Sequence, residues 1–224
     1  MSEGYEGYGG GAAPDRTGQA EAFDAIGARY DEAFPHKEGQ LAAGEWLAKT
    51  LPPGSRVLDV GCGTGVPTAR QLVDAGHTVV GVDLSATMLG LARRNVPEGE
   101  FHQRDIAGLR AEGPGGLGTF DGITCFFTLL MLPRAEIPHA LARLRSLLRP
   151  GGLLSLSMVE ADLDDTAIPF LGRTIRVSGF RRDALREVVG AAGLDIAGED
   201  AYAYEPAGPD AHPEHQLFLN CRRA

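Results

Sequence analysis

Apolar residues along this chain follow two different spacings. Short strand-type segments are predicted at 57–60, 79–82, 100–103, 120–127, 153–159, 194–204 and 215–221, with β-like character at 171–178. Apolar residues three or four positions apart predict helices between these strands, and two more helices, 20–34 and 41–50, before the first strand. Because strands and helices alternate, we expect an α/β fold with a parallel sheet covered by helices on both faces.

Length and composition set the domain organisation. Residues 1–18 repeat Gly and Tyr and contain too few apolar side chains to form a core, so they are predicted to be a flexible tail. The chain has 224 residues, of which 43% are hydrophobic, and this is enough for one substantial core. We therefore expect residues 19–224 to form a single domain, as a monomer or a homodimer.

The overall charge and the cysteines exclude several classes of function. A formal net charge of −9 argues against a nucleic-acid partner, because binding to phosphates needs a positive surface. Cys62, Cys125 and Cys221 are far apart and have no metal-ligand spacing, so they are expected to be buried, and no metal site is predicted. Without a signal peptide or a long apolar stretch, we expect a cytoplasmic protein with no membrane partner.

A glycine-rich turn and a spaced acidic residue predict a ligand site. Gly61, Gly63 and Gly65 directly follow the first strand, and Asp83 ends the second strand 20 residues after Gly63. An acidic side chain at that strand end can accept hydrogen bonds from both hydroxyls of a ribose. Val66 occupies the place of the third glycine in the dinucleotide fingerprint, so a pyrophosphate fits poorly. The open turn is better suited to the carboxylate and ammonium of an amino acid.

From Phe23 to Arg222 the chain resembles the class I S-adenosylmethionine-dependent methyltransferases. Besides the glycine turn and Asp83, the resemblance includes the segments 149–152 and 192–194, which precede the fifth and sixth strands. It implies a doubly wound, seven-stranded Rossmann-like sheet whose last strand is antiparallel, with N-terminal lid helices above it. It also implies S-adenosylmethionine as cofactor and methyl transfer to a small molecule.

The resemblance further implies the residues of the cofactor site. Asp59 would reach toward the ammonium group, Asp83 would hold the ribose, and Asp105 would accept a hydrogen bond from the adenine amine. The full set of expected cofactor residues is Tyr30, Asp59, Gly61, Cys62, Gly63, Gly65, Asp83, Leu84, Met88, Asp105, Ile106 and Phe126.

The catalytic and acceptor residues are less specified by the sequence. Tyr30 lies in a Tyr-Asp segment that relatives fold over the cofactor, although an aromatic residue that merely packs would give the same pattern. Many relatives have a histidine after the fourth strand, and this chain has Met131 there. His36 is the preferred proton acceptor because an ordinary histidine pKa of about 6.5 suits this role, with Tyr30 and Glu160 as alternatives. The expected acceptor-site residues are Phe34, His36, Thr128, Met131 and Glu160.

Apolar side chains around Met131 favour a hydrophobic or aromatic acceptor, such as an intermediate of a natural-product pathway, although the same residues could form core. Two alternatives to a methyltransferase remain at this point. One is a nucleotide-dependent oxidoreductase, against which Val66 counts. The other is a protein that binds S-adenosylmethionine without transferring its methyl group, or that uses it to promote another reaction such as cyclisation.

Overall fold

The computed structural model describes residues 16–205 and 213–224. The strands within these residues are β1 Arg56–Val60, β2 Thr78–Asp83, β3 Glu100–Gln103, β4 Phe120–Phe126, β5 Leu148–Val159, β6 Leu163–Phe170, β7 Arg173–Gly179, β8 Leu194–Tyr204 and β9 Glu214–Arg223. The helices are α1 Thr17–Ile26, α2 Arg29–Ala33, α3 Glu38–Thr50, α4 Thr68–Asp74, α5 Ala86–Asn95, α6 Ile137–Leu147 and α7 Arg182–Ala191. Among them, no helix is both long enough and apolar enough to cross a membrane.

The main sheet has the order β3-β2-β1-β4-β5-β9-β8. The first five strands of this order pair in parallel, whereas β9 is antiparallel to both β5 and β8. The prediction of a doubly wound, seven-stranded sheet with an antiparallel last strand is thus confirmed. The chain order reverses between β1 and β4, so a crevice opens at their carboxyl ends, where ligands bind in sheets of this kind.

The strands are held by apolar side chains buried on both faces of the sheet. Val57 and Leu58 of β1 and Ile123 of β4 are completely buried. Removing such a side chain from water stabilises the fold by about 1.5–3 kcal/mol. This packing makes the centre of the sheet a rigid support for the loops that follow β1, β2 and β4.

Two predicted helix boundaries can be compared with the structure. Ser85 caps α5 as expected, since its Oγ accepts a hydrogen bond of 3.0 Å from the backbone N–H of Met88. The single helix expected over residues 20–34 is instead divided into α1 and α2. Gly27 lies between them with φ of +52°, a conformation that ends a helix.

Polar contacts fix α1 across the carboxyl edge of the sheet. Asp24 Oδ1 accepts hydrogen bonds from Ser85 Oγ at 2.5 Å and from the N–H of Thr87 at 2.9 Å. Gln19 exchanges two hydrogen bonds with the backbone of Arg176 on β7, at 2.7 and 3.1 Å. This helix therefore joins α5 to β7 and lies above the crevice, as a lid.

The start of the fold differs slightly from the expected position. Helix α1 begins at Thr17, two residues before the predicted start of the domain. The side chain of the preceding residue, Arg16, is largely buried and forms ion pairs with Asp105 and Glu136, so it belongs to the folded part. Residues 1–15 of the predicted tail lie outside the described residues.

Strands β6 and β7 form a separate hairpin, and the sequence indicated only part of it. Residues 171–178 have β-like character, but β6 was not predicted. The two strands are joined by Leu171 and Gly172, whose φ angles of +49° and +75° suit a tight hairpin turn. A leucine is unusual at such a position, so the usual Asn-Gly or Asp-Gly signal is absent from the sequence.

Candidate active site

The glycine turn after β1 forms a close-fitting cradle. The N–H groups of Gly61 and Cys62 donate to the carbonyl oxygen of Val82, at 2.8 and 3.0 Å, and so tie the turn to β2. Gly61 has φ of +68°, and a Cβ there would lie 1.9 Å from Thr128 Oγ1. Gly63 has φ of +53° and open space beside it. Only glycine satisfies both the backbone conformation and the close approach at position 61.

Asp83 lies at the end of β2 and organises the two neighbouring loops. Its Oδ2 accepts a hydrogen bond from the N–H of Gly63, and its Oδ1 accepts one from the N–H of Ser85, both at 2.9 Å. Burial raises the pKa of this carboxyl group above its usual value. Each oxygen of a carboxylate can accept a second hydrogen bond. Asp83 can therefore receive a pair of hydroxyl groups without losing its backbone contacts.

A first cavity, with a volume of about 140 Å³, opens between the cradle and the lid helix α1. Its lining contains most of the predicted cofactor residues together with two of the predicted acceptor residues. The predicted residues that line it are Tyr30, Gly61, Cys62, Gly63, Asp83, Leu84, Met88, Ile106, Phe126, Thr128 and Met131.

Asp59, a predicted cofactor residue, does not line this cavity. Its side chain is almost fully buried, and its Oδ1 accepts a hydrogen bond of 2.7 Å from Thr124 Oγ1. Its Oδ2 has no hydrogen-bond partner among the described residues. Burial, and then the charge of Asp83, raise the pKa of Asp59 to about 7. Asp59 is thus a buried acid beside the glycine turn, and it is not part of the wall of the first cavity.

Gly65 and Asp105, two further predicted cofactor residues, also lie outside the lining of the first cavity. A Cβ at Gly65 would lie 3.1 Å from Val96 and 3.3 Å from Ala92, so this glycine allows the turn to pack on α5. Asp105 accepts a hydrogen bond of 2.7 Å from the N–H of Ala107 and forms an ion pair with Arg16. The carboxylate expected to meet the adenine amine therefore has two partners within the protein.

A second cavity, of about 270 Å³, adjoins the first. Its walls are mostly apolar and come from the β6–β7 hairpin, the loop before α3 and the ends of β8 and β9. The predicted residues Phe34 and His36 line it. Glu160 lines neither cavity, because its carboxylate accepts hydrogen bonds from the backbone and side chain of Arg182, at 3.3 and 3.2 Å. Glu160 is therefore not placed to act on an acceptor.

The two cavities meet at a shared wall. The side chains that line both are Tyr30, Lys37, Gln40, Phe127 and Met131. Phe127 has φ of +53°, a strained conformation for a bulky residue, and its N–H donates to Ser157 Oγ at 3.0 Å. Residues held in such conformations cluster at functional sites, and this one lies where two bound molecules would touch.

Tyr30 and His36, the predicted catalytic residues, differ in their surroundings. Burial raises the pKa of Tyr30, and the negative charge of Glu214 raises it further. The phenol therefore stays protonated near neutral pH, which makes Tyr30 unsuitable as a proton acceptor. The His36 side chain is 69% exposed and lies 3.6 Å from Glu38. It is at the rim of the second cavity, open to water.

Several residues of the second cavity were not predicted from the sequence. They come from the hairpin and from the last two strands: Ile168, Phe170, Ile175, Val177, Tyr204, Glu214 and Gln216. The alternation of apolar residues at 168 and 170 and at 175 and 177 indicates two strands with one apolar face each. That alternation could have revealed the hairpin, but it does not specify what the apolar face covers.

Comparisons with known proteins decide the family. A family model described as a methyltransferase domain matches residues 57–152. The malonyl-[acyl-carrier protein] O-methyltransferase of Erwinia pyrifoliae is 32% identical in an alignment 197 residues long that covers 85% of this chain and 70% of that enzyme. The chain belongs to the class I S-adenosylmethionine-dependent methyltransferases. Its cofactor is S-adenosylmethionine, and the oxidoreductase alternative is wrong.

Other similarities are shorter or concern the fold. The dTDP-3-amino-3,6-dideoxy-alpha-D-glucopyranose N,N-dimethyltransferase of Streptomyces fradiae is 32% identical over 64% of this chain, and the aligned part is about half, 54%, of that enzyme. The crystal structure of the 1,6-didemethyltoxoflavin-N1-methyltransferase of Burkholderia thailandensis matches with a TM-score of 0.69 and 24% identity, over 97% of this chain and 93% of that one. This methyltransferase therefore has the same fold as an enzyme that methylates a small molecule.

Proposed function

We propose that this methyltransferase transfers a methyl group to a compact hydrophobic or aromatic molecule bound in the second cavity. The observation that carries the proposal is the apolar second cavity that shares a wall with the first. An apolar pocket holds such a molecule by the area it buries. Because the cavities adjoin, the reacting atoms can be brought together without intervening water, and such positioning is the main requirement of a displacement reaction.

The first cavity fits the chemical groups of the cofactor. Asp83 retains free acceptor sites for the two ribose hydroxyls, and Leu84, Met88 and Ile106 supply apolar surface for the adenine. The Gly61 cradle lets the methionine part approach the backbone closely. When bound, S-adenosylmethionine supplies an electrophilic methyl group on a sulfonium centre. Asp59, the penultimate residue of β1, has one unpaired oxygen, and the ionised form of its carboxyl group favours the ammonium group of the cofactor.

The chain's own residues then have three tasks. Helix α1 and the β6–β7 hairpin cover the cavities and exclude water, and they are tied together through Gln19 and Arg176. Tyr30, as a neutral phenol in the shared wall, orients both molecules. Thr128 holds the cradle in place, since its Oγ1 donates to the carbonyl oxygen of Val60 at 2.9 Å.

The relatives support a small acceptor of this kind. The Burkholderia thailandensis enzyme is described with bound 1,6-didemethyltoxoflavin and S-adenosylhomocysteine, so the same fold accommodates a heteroaromatic acceptor there. The Erwinia pyrifoliae relative is named for an acceptor attached to a carrier protein. We propose a free small molecule, such as an intermediate of a natural-product pathway, because the second cavity is lined on several sides by apolar side chains.

A labelling experiment tests this proposal. The protein is incubated with methyl-labelled S-adenosylmethionine and a panel of aromatic and heteroaromatic metabolites, an acyl-carrier protein, other proteins and RNA. We expect label only in small molecules. Ile168→Lys, which places a charge in the second cavity alone, should abolish transfer and leave the affinity for S-adenosylhomocysteine unchanged. Ala167→Lys is the matched control, because Ala167 is exposed on the same strand outside the cavity.

Two outcomes would contradict the proposal. Labelling of RNA or protein without labelling of any small molecule would show that the second cavity does not hold the acceptor. Full methyl transfer by Ile168→Lys would also show that the second cavity does not hold the acceptor. If the cofactor binds and nothing in an extended panel is labelled, the alternative of a protein that binds S-adenosylmethionine without methylating would be favoured instead.

A further inference from the structure

One end of the second cavity is polar, although most of the cavity is apolar. Glu214 and Gln216 at the start of β9 and Tyr204 at the end of β8 line this end. Tyr204 and Glu214 are cross-strand partners in the β8–β9 pair, so their side chains emerge side by side. None of the three belongs to the residues that the sequence indicated for the acceptor site.

Within residues 16–205 and 213–224, Glu214 forms no ion pair with a basic side chain. The carboxylate of Glu214 has one hydrogen-bond donor among the described residues: Gln216 Nε2 donates to Glu214 Oε1 at 2.8 Å. Two basic side chains line the same cavity, and both have other partners. Lys37 forms an ion pair with Asp31, and the exposed ring of His36 lies beside Glu38. A partly buried carboxylate without a counter-ion is costly, so a bound cation would be favoured there.

Aromatic rings surround the same space. Phe34 stacks on Phe170 at 5.7 Å between ring centroids and on Tyr204 at 5.6 Å, and Tyr30 lies 5.1 Å from Phe34. All four line the second cavity. The faces of aromatic rings attract cations, and groups of such rings bind alkylated ammonium ions. Aromatic rings and an unbalanced carboxylate therefore favour the same kind of ligand.

We propose that Glu214, with the aromatic side chains of Phe34, Phe170 and Tyr204, binds a cationic amine of the acceptor. The acceptor is then a hydrophobic amine, and the methyl group goes to nitrogen. This inference rests on the proposed function, because it assumes that the second cavity holds the acceptor.

The transfer balances with the groups present. The ammonium proton of the bound amine passes to the Glu214 carboxylate, which frees the nitrogen lone pair. The nitrogen then forms a bond to the methyl carbon while the bond from that carbon to sulfur breaks, and its electron pair stays on sulfur. The methylated nitrogen carries the positive charge that the sulfur loses, and Glu214 later returns its proton to solvent. Burial raises the pKa of Glu214, which makes its carboxylate a stronger proton acceptor.

Binding of matched probes to the protein saturated with S-adenosylhomocysteine tests the inference. The probes are naphthylethylamine, naphthylethanol and naphthylacetate, which share one ring system and differ in charge, and calorimetry measures their affinity. For the unmodified protein we expect the amine to bind at least about tenfold more tightly than the alcohol, the size of one charge-assisted hydrogen bond. The negatively charged acetate should bind most weakly.

Variants identify the group responsible. Glu214→Gln keeps the oxygen that accepts from Gln216 and removes the charge, so it should lower the amine affinity about tenfold and change the alcohol affinity by less than about twofold. Phe170→Leu removes an aromatic ring, so it should lower the affinity for the amine more than the affinity for the alcohol. Glu205→Gln is the matched control, because Glu205 is exposed and outside the cavity, and it should have no effect.

The possible failures are distinguishable. If none of the three probes binds, the second cavity does not hold aromatic acceptors, and the proposed function fails. If all three bind equally, or if Glu214→Gln retains the full preference for the amine, only the inference about Glu214 is overturned.

Discussion

Asp59 should make the stability of the cofactor-free protein depend on pH. It is buried at the end of β1 with one oxygen unpaired, and its pKa in the folded protein is about 7, against 3.8 for an ordinary aspartate. Because the folded-state pKa is the higher one, the folded protein binds more protons than the unfolded chain between these two values. The stabilisation is therefore complete below pH 3.8 and is lost as the pH rises through about 7.

The magnitude follows from the size of the shift. Each pKa unit corresponds to about 1.4 kcal/mol, so Asp59 should lower the free energy of unfolding by about 4 kcal/mol across the whole window. Asp59→Asn has nearly the same shape and carries no charge, and its Oδ1 can still accept the hydrogen bond from Thr124. Its stability relative to the unmodified protein should therefore increase by about 2 kcal/mol between pH 5 and pH 7, and become constant above about pH 8.

Urea unfolding at several pH values measures this difference. The single tryptophan, Trp46, lies in α3 and supplies a fluorescence signal for unfolding. Asp195→Asn is the control, because Asp195 is exposed and its replacement should leave the pH dependence as it is. If the unmodified protein and Asp59→Asn keep a constant difference in unfolding free energy from pH 5 to pH 8, then Asp59 does not titrate in this range and our interpretation of its burial is wrong.

Three further predictions concern the cradle and the shared wall. Asp83→Ala should weaken S-adenosylhomocysteine binding by about 1.5–3 kcal/mol in calorimetry, and unchanged affinity would contradict the ribose assignment. Gly61→Ala should lower the melting temperature more than Gly63→Ala, because both have positive φ but only the Cβ at position 61 overlaps Thr128; equal melting temperatures would refute this. Tyr30→Phe should lower turnover severalfold at unchanged melting temperature, whereas full turnover would leave Tyr30 a packing role alone.

The cofactor side of the site was largely predictable from the sequence. Gly61 and Gly63, together with Asp83, follow directly after strands whose apolar pattern is clear. In a parallel sheet, the positions that follow strand ends meet at one edge, so the spacing along the chain fixes the spatial arrangement. Gly65 was predicted as a cofactor residue on the same basis, but its lack of a side chain serves packing against α5. The sequence shows that a glycine is required there without showing what approaches it.

Two predicted site acids, Asp105 and Glu160, have arginine partners that the sequence did not indicate. Asp105 pairs with Arg16, which lies in the segment predicted to be a tail, and Glu160 pairs with Arg182 at the start of α7. Both partners are far away in the sequence, so no local pattern indicates that these carboxylates are already bound. Only the tertiary structure separates an acid that faces a cavity from one that is neutralised by a distant arginine.

The two cavities also differ in how they are built. The cradle is supported by the centre of the main sheet, where β1 and β4 are buried on both faces, so a change there would disturb the core. The second cavity is lined by the β6–β7 hairpin, which forms a sheet of its own, and by the last residue of β8 and the first residues of β9. Side chains such as Ile168 and Glu214 can therefore be replaced without displacing the cradle. This separation explains why the strand pattern predicts the cofactor, whereas the acceptor can be inferred only from the assembled cavity.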